Sequence, residues 1–397
     1  MDFKKKKEKV KDPSRRHRWL WRALNPLVSR FVRGKFNLDA APVEADGPFL
    51  LVSNHVSAWD PLLVAASLGR AQAYFVASEH LFRLGLVSRL IEWVVAPIAR
   101  RKASRGADTV KAVLRHLRAG HSVCLFAEGE QCWTGRNNPI FPATGKLARS
   151  SGATLVTYRI EGGYLSLPRW GKGVRRGRVR AHPVGVYPPE QLKAMRPEEI
   201  NALIERDIRE DAWLRQRQER VLYRGKRRAE GLERALCLCP VCGRVGGLSA
   251  LGDDLTCRCG FSVRYGEDGF FDPGVPFATL ADWDDWQTER LRRGGFPRPE
   301  DAEGLIFSDG GMRLSRVETG HRDVRLGRGA LALYGDRLVC AGQSFPLAQI
   351  TGMAAVLSNR LLFTCSDRYY EIVAETGGNL RKYLLLWQSR APAREGE

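Results

Sequence analysis

Between residues 48 and 187 the chain alternates short apolar runs with helical patterns, and this alternation restricts its fold more than any other feature. The runs 49–52, 74–76, 94–98, 122–126 and 154–158 have the length of strands. The segments 61–68, 82–93, 107–117 and 146–149 lie between them with helical spacing. Strands alternating with helices predict an α/β domain built on a central sheet.

The character changes beyond this domain. Residues 190–235 read as a charged helical connector, and 236–272 as a compact cysteine module. The linker 273–303 contains a short amphipathic helix with Trp283 and Trp286. From 304 to 397, apolar runs recur around turn signals such as Gly335-Asp336 and Gly377-Gly378, and a helix over 380–388 closes the chain. Strands followed by one helix is the order of a small β-rich, pleckstrin-homology-like domain. Residues 1–35 form a basic tail and an amphipathic helix, and 36–189 the α/β domain. No internal repeat is visible.

Charge narrows the partners. The formal net charge is +20, and half of that excess lies in residues 1–35. A second stretch, 169–180, holds six bases and no acid. Such an excess favours nucleic acid, anionic headgroups or phosphorylated substrates. Residues 1–12 read as a disordered lysine-rich tail. In the segment that follows, Leu20, Leu24, Leu27 and Phe31 share one helical face among arginines, beside Trp19 and Trp21. Pro26 is expected to divide this segment into two helices, the second capped by Asn25. The pattern fits a helix lying on an anionic membrane surface. It fits nearly as well a helix packed on its own domain. No run of 18 apolar residues occurs, so no transmembrane helix is expected. The basic N-terminus lacks the apolar core of a signal peptide. The expected location is cytoplasmic, peripheral on the cytoplasmic membrane face.

Five of the nine cysteines fall within 23 residues: Cys237, Cys239, Cys242, Cys257 and Cys259. In a chain read as cytoplasmic, that clustering points to a metal rather than to disulfides. Cys239-Pro240-Val241-Cys242-Gly243 is a zinc knuckle, and Cys257-Arg258-Cys259-Gly260 is a second turn one residue short of the usual spacing. Tetrahedral zinc takes four thiolates from two such turns. The expected ligands of a structural zinc are Cys239, Cys242, Cys257 and Cys259, with Cys237 as an alternative.

The remaining chemistry gathers at strand ends. Asn54-His55-Val56-Ser57-Ala58-Trp59-Asp60 follows the first run. Histidine is suited to general-base work because an imidazole titrates near neutral pH. A carboxylate five residues on could fix its tautomer, as in hydrolase triads. The same Asp60, followed by Pro61, also fits a helix cap, with Ser57 as partner in a capping-box-like pair. Arg100, Arg101 and Lys102 end a third run, and guanidinium is a natural clamp for phosphate. Phe126-Ala127-Glu128-Gly129 ends a fourth, and Val156-Thr157-Tyr158-Arg159 a fifth.

In order and rough spacing these blocks resemble the glycerophospholipid acyltransferase family, which includes the 1-acylglycerol-3-phosphate acyltransferases. The resemblance covers about residues 48–185. It implies an α/β acyltransferase domain, here a variant with an appended zinc ribbon and a β-rich C-terminal domain. It also implies that His55, polarised by Asp60, deprotonates the hydroxyl of a lysophospholipid or glycerophosphate-like acceptor. That oxygen would attack the thioester of acyl-CoA or acyl carrier protein. Asn54, Arg100 or Arg101, Glu128 and Gly129 would hold the acceptor, and no catalytic cofactor would take part. The chain departs from the family pattern in two places. Ala127 replaces the usual proline, and Glu130-Gln131-Cys132 stands where Thr-Arg-Ser is common. The missing arginine removes a second phosphate contact, for which the basic stretch 169–180 is a candidate substitute.

Two other classes compete. A ribbon with basic segments could serve nucleic acid, but no aromatic-rich RNA motif or recognition helix accompanies it, so nucleic acid is not an expected partner. An acyltransferase fold could also bind lipid without turnover. Oligomeric state is not written in the sequence.

Overall fold

The computed structural model of the protein describes residues 15–83, 85–100, 106–294, 304–318, 322–375 and 378–390. The lysine-rich tail, Arg101 and Lys102 lie outside the described residues. In chain order the first part comprises α1 (Arg15–Phe36), β1 (Leu38–Ala40), β2 (Phe49–Ser53), α2 (Asp60–Leu68), β3 (Ala73–Ser78), a 3-10 turn (Glu79–Arg83), α3 (Leu86–Val95) and β4 (Ile98–Arg100). It continues with α4 (Ala107–Arg118), β5 (Ser122–Phe126), α5 (Ala143–Ser151), β6 (Thr154–Glu161), α6 (Gly163–Ser166) and β7 (Val179–Tyr187).

The seven strands form one mixed sheet in the order β1-β7-β6-β2-β5-β3-β4. Parallel pairs join β2 to β5 and β6, β3 to β5, and β4 to β3. The β6–β7 pair is antiparallel. Strands β2 and β5 are buried along their whole length, which is why they read as unbroken apolar runs. Alternate side chains enter two cores. Phe49, Leu51, Cys124 and Val156 face one side of the sheet. Leu50, Val52, Val123, Leu125 and Leu155 face the other. Because β2 lies between β5 and β6 and parallel to both, the segments after Ser53 and Phe126 leave the same edge side by side.

Local detail departs from the sequence expectation in four places. Helix α1 is not divided at Pro26. The proline removes one helical hydrogen bond, and side chains on the preceding turn tie the helix to α2 instead. The Asn25 amide donates to the carbonyls of Ala65 (3.0 Å) and Gly69 (2.8 Å), and Trp21 Nε1 donates to Gly69 (3.1 Å). The buried face of α1 also differs: Leu20 is buried, but so are His17, Asn25, Val32 and Phe36, while Leu24, Leu27 and Phe31 are exposed. The strand expected over 94–98 begins only at Ile98. Val94 and Val95 finish α3, which ends where Ala96 turns left-handed (φ 42°) and its amide bonds to Glu92 (3.2 Å). Finally, the basic stretch 169–180 is partly internal. The side chains of Arg169 and Arg175 are buried, Lys172 pairs with Glu230, and Arg180 pairs with Glu161 and Glu219, while Arg176 and Arg178 are exposed. Four of its six bases are committed to partners within the protein.

The helices α7 (Pro189–Ala194), α8 (Pro197–Ile208), α9 (Ala212–Glu219) and α10 (Leu232–Ala235) follow. Strands β8 (Leu248–Leu251), β9 (Asp254–Cys257) and β10 (Ser262–Arg264) make a small antiparallel sheet, and α11 (Leu280–Arg292) packs beside it. Trp283 Nε1 on that helix donates to the Leu238 carbonyl at 3.0 Å. The C-terminal region is β-rich: β11 (Leu305–Glu318), β12 (Arg322–Tyr334), β13 (Arg337–Cys340), β14 (Gln343–Pro346), β15 (Ile350–Val356), β16 (Arg360–Cys365) and β17 (Arg368–Ala374). They pair antiparallel in the order β14-β13-β12-β11-β17-β16-β15. Helix α12 (Arg381–Arg390) closes the region with Tyr383, Leu384 and Trp387 in the core. One apolar cluster runs from Val32 through the cysteine module to Trp387.

Candidate active site

His55 stands two residues beyond β2, with its ring stacked on Phe126 at the end of β5 (centroids 4.4 Å apart). Its Nδ1 lies 2.7 Å from Asp60 Oδ2, and its side chain is 17 % exposed while that of Asp60 is fully buried. The amides of Val56 (2.7 Å) and Ser57 (2.9 Å) also donate to Asp60 Oδ2, and the Ser57 hydroxyl donates to Oδ1 (2.8 Å). A buried carboxylate needs such donors to remain bearable. They also show where the Asp60 carboxylate is directed. Its carboxylate reaches back to residues 55–57 and makes no capping bond to the helix that follows. The contact with Asp60 uses His55 Nδ1 and leaves Nε2 as the other ring nitrogen.

The other expected site residues divide into those that face the site and those that build it. Asn54 is fully buried and binds the Ile160 backbone on both sides, donating to its carbonyl (2.9 Å) and accepting from its amide (2.8 Å). It joins the end of β2 to β6 and has no exposed surface for an acceptor. Glu128 is also buried. Its Oε1 accepts from the His55 amide (2.9 Å) and from Asn137 Nδ2 (2.8 Å), and its Oε2 accepts from the Asn138 amide (2.6 Å). Burial pushes its pKa up to about 7, against the pull of these three donors. Gly129 turns with φ +71°, and a Cβ there would sit 2.2 Å from the Phe141 ring. Only glycine fits that turn.

Arg100 ends β4, with its guanidinium 4.0 Å over the Phe141 ring and one Nη 3.2 Å from the Cβ position of Gly129. Its buried Nε has no hydrogen-bond partner among the described residues, and no acid there pairs with it. Burial is the cause that lowers its pKa. The guanidinium lies, partly buried, next to the Glu128–Gly129 turn.

Sequence reasoning missed several residues of this assembly. Phe126 sets the ring plane of His55, and Asn137 and Asn138 orient Glu128. Cys132 donates its amide to the His55 carbonyl at 2.9 Å. Phe126 closes the apolar run 122–126, but its stacking on His55 leaves no mark in the sequence, and the Asn-Asn-Pro run at 137–139 reads only as a turn.

The cysteine module is a second polar centre. The sulfurs of Cys239, Cys242, Cys257 and Cys259 lie within 4.8 Å of one another, with the 239–259 and 242–257 pairs each at 3.8 Å. Thiolates at the corners of a tetrahedral zinc site are about 3.8 Å apart. Backbone amides of Val241 and Cys242 point at the Cys239 sulfur, and that of Phe261 at Cys259. Gly243 (φ 68°) and Gly260 (φ 92°) make those turns. These four cysteines could hold a metal ion. Cys237 does not join them; its sulfur lies 3.6 Å from Gln287 Oε1.

Comparison with known proteins gives the class. Residues 31–161 match the family model described as Acyltransferase. The segment is 26% identical over 165 residues to the chloroplastic 1-acyl-sn-glycerol-3-phosphate acyltransferase BAT2 of Brassica napus, covering 41% of this chain and 46% of that one. It is likewise 26% identical to the chloroplastic 1-acyl-sn-glycerol-3-phosphate acyltransferase LPAT1 of Arabidopsis thaliana, covering 41% and 45%. The chain thus spans about half the length of the curated relatives it matches. A crystal structure of the 1-acyl-sn-glycerophosphate acyltransferase PlsC from Thermotoga maritima is 18% identical, covers 50% of this chain and 82% of that one, and has a TM-score of 0.41. Residues 31–161, most of the α/β domain up to the end of β6, thus match the acyltransferase family model. The same part of the chain is similar to 1-acyl-sn-glycerol-3-phosphate acyltransferases.

Proposed function

We propose that the protein is an O-acyltransferase that moves a fatty acyl group from acyl-CoA or acyl carrier protein to the hydroxyl of a lysophospholipid or glycerophosphate-like acceptor, in phospholipid synthesis. The observation that carries this reading is the His55–Asp60 dyad, with every Asp60 contact directed at residues 55–57. His55 Nε2 takes the acceptor's hydroxyl proton as the oxygen attacks the thioester carbonyl. The tetrahedral intermediate collapses by breaking the C–S bond, and the imidazolium returns its proton to the departing sulfur. Asp60 holds the ring and balances its transient charge. Arg100, with Arg101 as its neighbour in sequence, holds the acceptor phosphate. Glu128 acts through the backbone of His55. The test is acyl transfer from acyl-CoA to a panel of lysophospholipids; equal rates for wild type and His55→Ala would sink the proposed base.

The surroundings suit a lipid substrate. Trp19, Leu27 and Phe31 on α1 and Leu86, Val87, Leu90 and Trp93 on α3 are exposed large apolar residues on two helices that pack together. Arg16 lies 5.0 Å over Trp93, and Arg30 and Arg89 are exposed nearby in sequence. Aromatic and basic side chains of this kind favour an anionic membrane surface. We therefore read the protein as peripheral on the cytoplasmic membrane face. No helix among the described residues is long and apolar enough to cross a membrane. Failure to sediment with anionic vesicles at low salt would remove this part of the reading.

The four cysteines fit a structural zinc, because four thiolates leave no open coordination position. The strand order of the C-terminal sheet and its closing helix support a pleckstrin-homology-like domain, an analogy of fold that assigns no ligand.

A further inference from the structure

The loop after β5 is gripped by the C-terminal sheet. Arg169, between α6 and β7, has a side chain only 2 % exposed. Its Nη1 donates to the Glu130 carboxylate (3.0 Å) and to the Gln131 carbonyl (2.9 Å). Its Nη2 donates to the Ala355 carbonyl (2.5 Å) on β15, and its Nε to the Leu357 carbonyl (3.2 Å) in the turn beyond. The guanidinium also lies 4.1 Å over the Trp133 ring. Arg381 of α12 approaches that ring at 5.1 Å and is itself held by Asp284 (2.5 and 2.7 Å). Between the residues so held, the Cys132 amide donates to the His55 carbonyl. A continuous chain of contacts therefore runs from the C-terminal sheet through Arg169 and residues 130–132 to the backbone of His55.

A second grip lies on the segment after β3. Arg83, 4 % exposed, pairs with Glu371 (2.7 Å) and Asp323 of the C-terminal sheet. This segment leads into α3 and then to Arg100 on β4. Two of the loops that leave the catalytic edge are thus fixed by the same sheet.

We infer that the C-terminal sheet is a positioning element of the active site, and that Arg169 is the positioning residue that transmits it to His55. The inference rests on the acyltransferase reading above. Arg169 touches no reacting atom. Its directional bonds converge on one geometry, which a guanidinium fork can satisfy and an ammonium cannot. The region where Glu130-Gln131-Cys132 departs from the family pattern is the region that the sheet holds. The arginine of the basic stretch serves there as an internal tether rather than as a phosphate ligand.

The test compares full-length wild type with Arg169→Lys and Arg169→Gln in two measurements. One is hydrogen exchange of peptides spanning residues 128–134. The other is acyl transfer to a lysophospholipid, per folded molecule. The expected result is exchange about tenfold faster in that peptide, with kcat lower by about tenfold and acceptor KM changed by less than about threefold, since small misplacements of a base act on the transition state. Arg169→Lys should recover only part of the loss. A lower melting temperature with wild-type exchange and wild-type kcat would overturn the inference. Should the Arg169 variants fail to fold, Glu130→Gln weakens the same tether and should move both readouts in the same direction by a smaller factor. Wild-type values for Glu130→Gln would then overturn it. Arg83→Gln should loosen residues 79–95 and spare 128–134, and equal loosening of both would count against a separate route through Arg169. If wild type transfers no acyl group to any acceptor, the functional reading fails alone; the exchange of residues 128–134 still decides the tether.

Discussion

The two polar centres of this protein are assembled in opposite ways. The four cysteines lie within 21 consecutive residues, from Cys239 to Cys259, and two tight turns bring their sulfurs together. The His55 site draws on residues 54 to 60, 100, 126 to 141 and 160, joined by hydrogen bonds that span up to 106 residues. The first centre is local and would be held by its metal. The second depends on a sheet that sets strand ends side by side. Damage to the first should unfold a module, whereas damage to the second should lower a rate or loosen a loop.

The largest effect should come from the local centre. Cys257→Ser, or a strong chelator, should remove the metal and with it a binding energy of about 10 kcal/mol in comparable small sites. Elemental analysis should find about one zinc per wild-type chain and none in the variant, with loss of protection over residues 236–272. A variant that keeps full protection without metal would erase the contrast between the centres. Next, His55→Ala should lower kcat/KM by about a thousandfold or more with little change in melting temperature, because the ring is partly exposed and its loss removes a base rather than a core.

Glu128→Gln should act mainly on stability. A glutamine accepts through one atom only, so its amide nitrogen would face an N–H donor, at a cost of about 2 kcal/mol. The same residue gives a pH signature. Burial raises Glu128 from 4.5 to about 7, so the folded state holds its proton more tightly than the unfolded state. The stability it contributes is present below pH 4.5 and is lost as pH rises through about 7. Denaturant titrations should find wild type losing stability across that window relative to Glu128→Gln, and parallel curves would refute the buried carboxyl. The smallest effect is expected for Arg100→Leu. It should raise acceptor KM by about tenfold and leave the melting temperature unchanged or higher, because it removes an unpaired buried charge.

These contrasts also explain what could be read early. The knuckle Cys239-Pro240-Val241-Cys242-Gly243 announces its geometry, because the turn that presents the sulfurs is encoded by adjacent residues. His55 and Asp60 were legible as a pair but not as a dyad. Their spacing suits a helix cap equally well, and only the structure shows the Asp60 carboxylate turned back to residues 55–57. Asn54 and Glu128 were legible as site residues from the family resemblance, yet their partners lie 106 and 73 residues away in sequence. Arg169 and Arg175 of the basic stretch 169–180 read like their exposed neighbours because sequence counts charges without their partners. Pro26 looked like a break because its compensating contacts are made to another helix.

By itself, the sequence determined the α/β alternation, the nearness of His55 to Asp60, the clustering of the four cysteines and the order of strands and helix at the C-terminus. Each is fixed by periodicity or by residues within a few positions of one another. Tertiary structure alone decided which polar residues face a substrate and which hold the frame, and that Arg100 is left without a partner while Arg169 is fully engaged. The reason is that burial and pairing belong to neighbours in space. A charged side chain becomes a ligand-binding group only when the fold brings it no partner of its own.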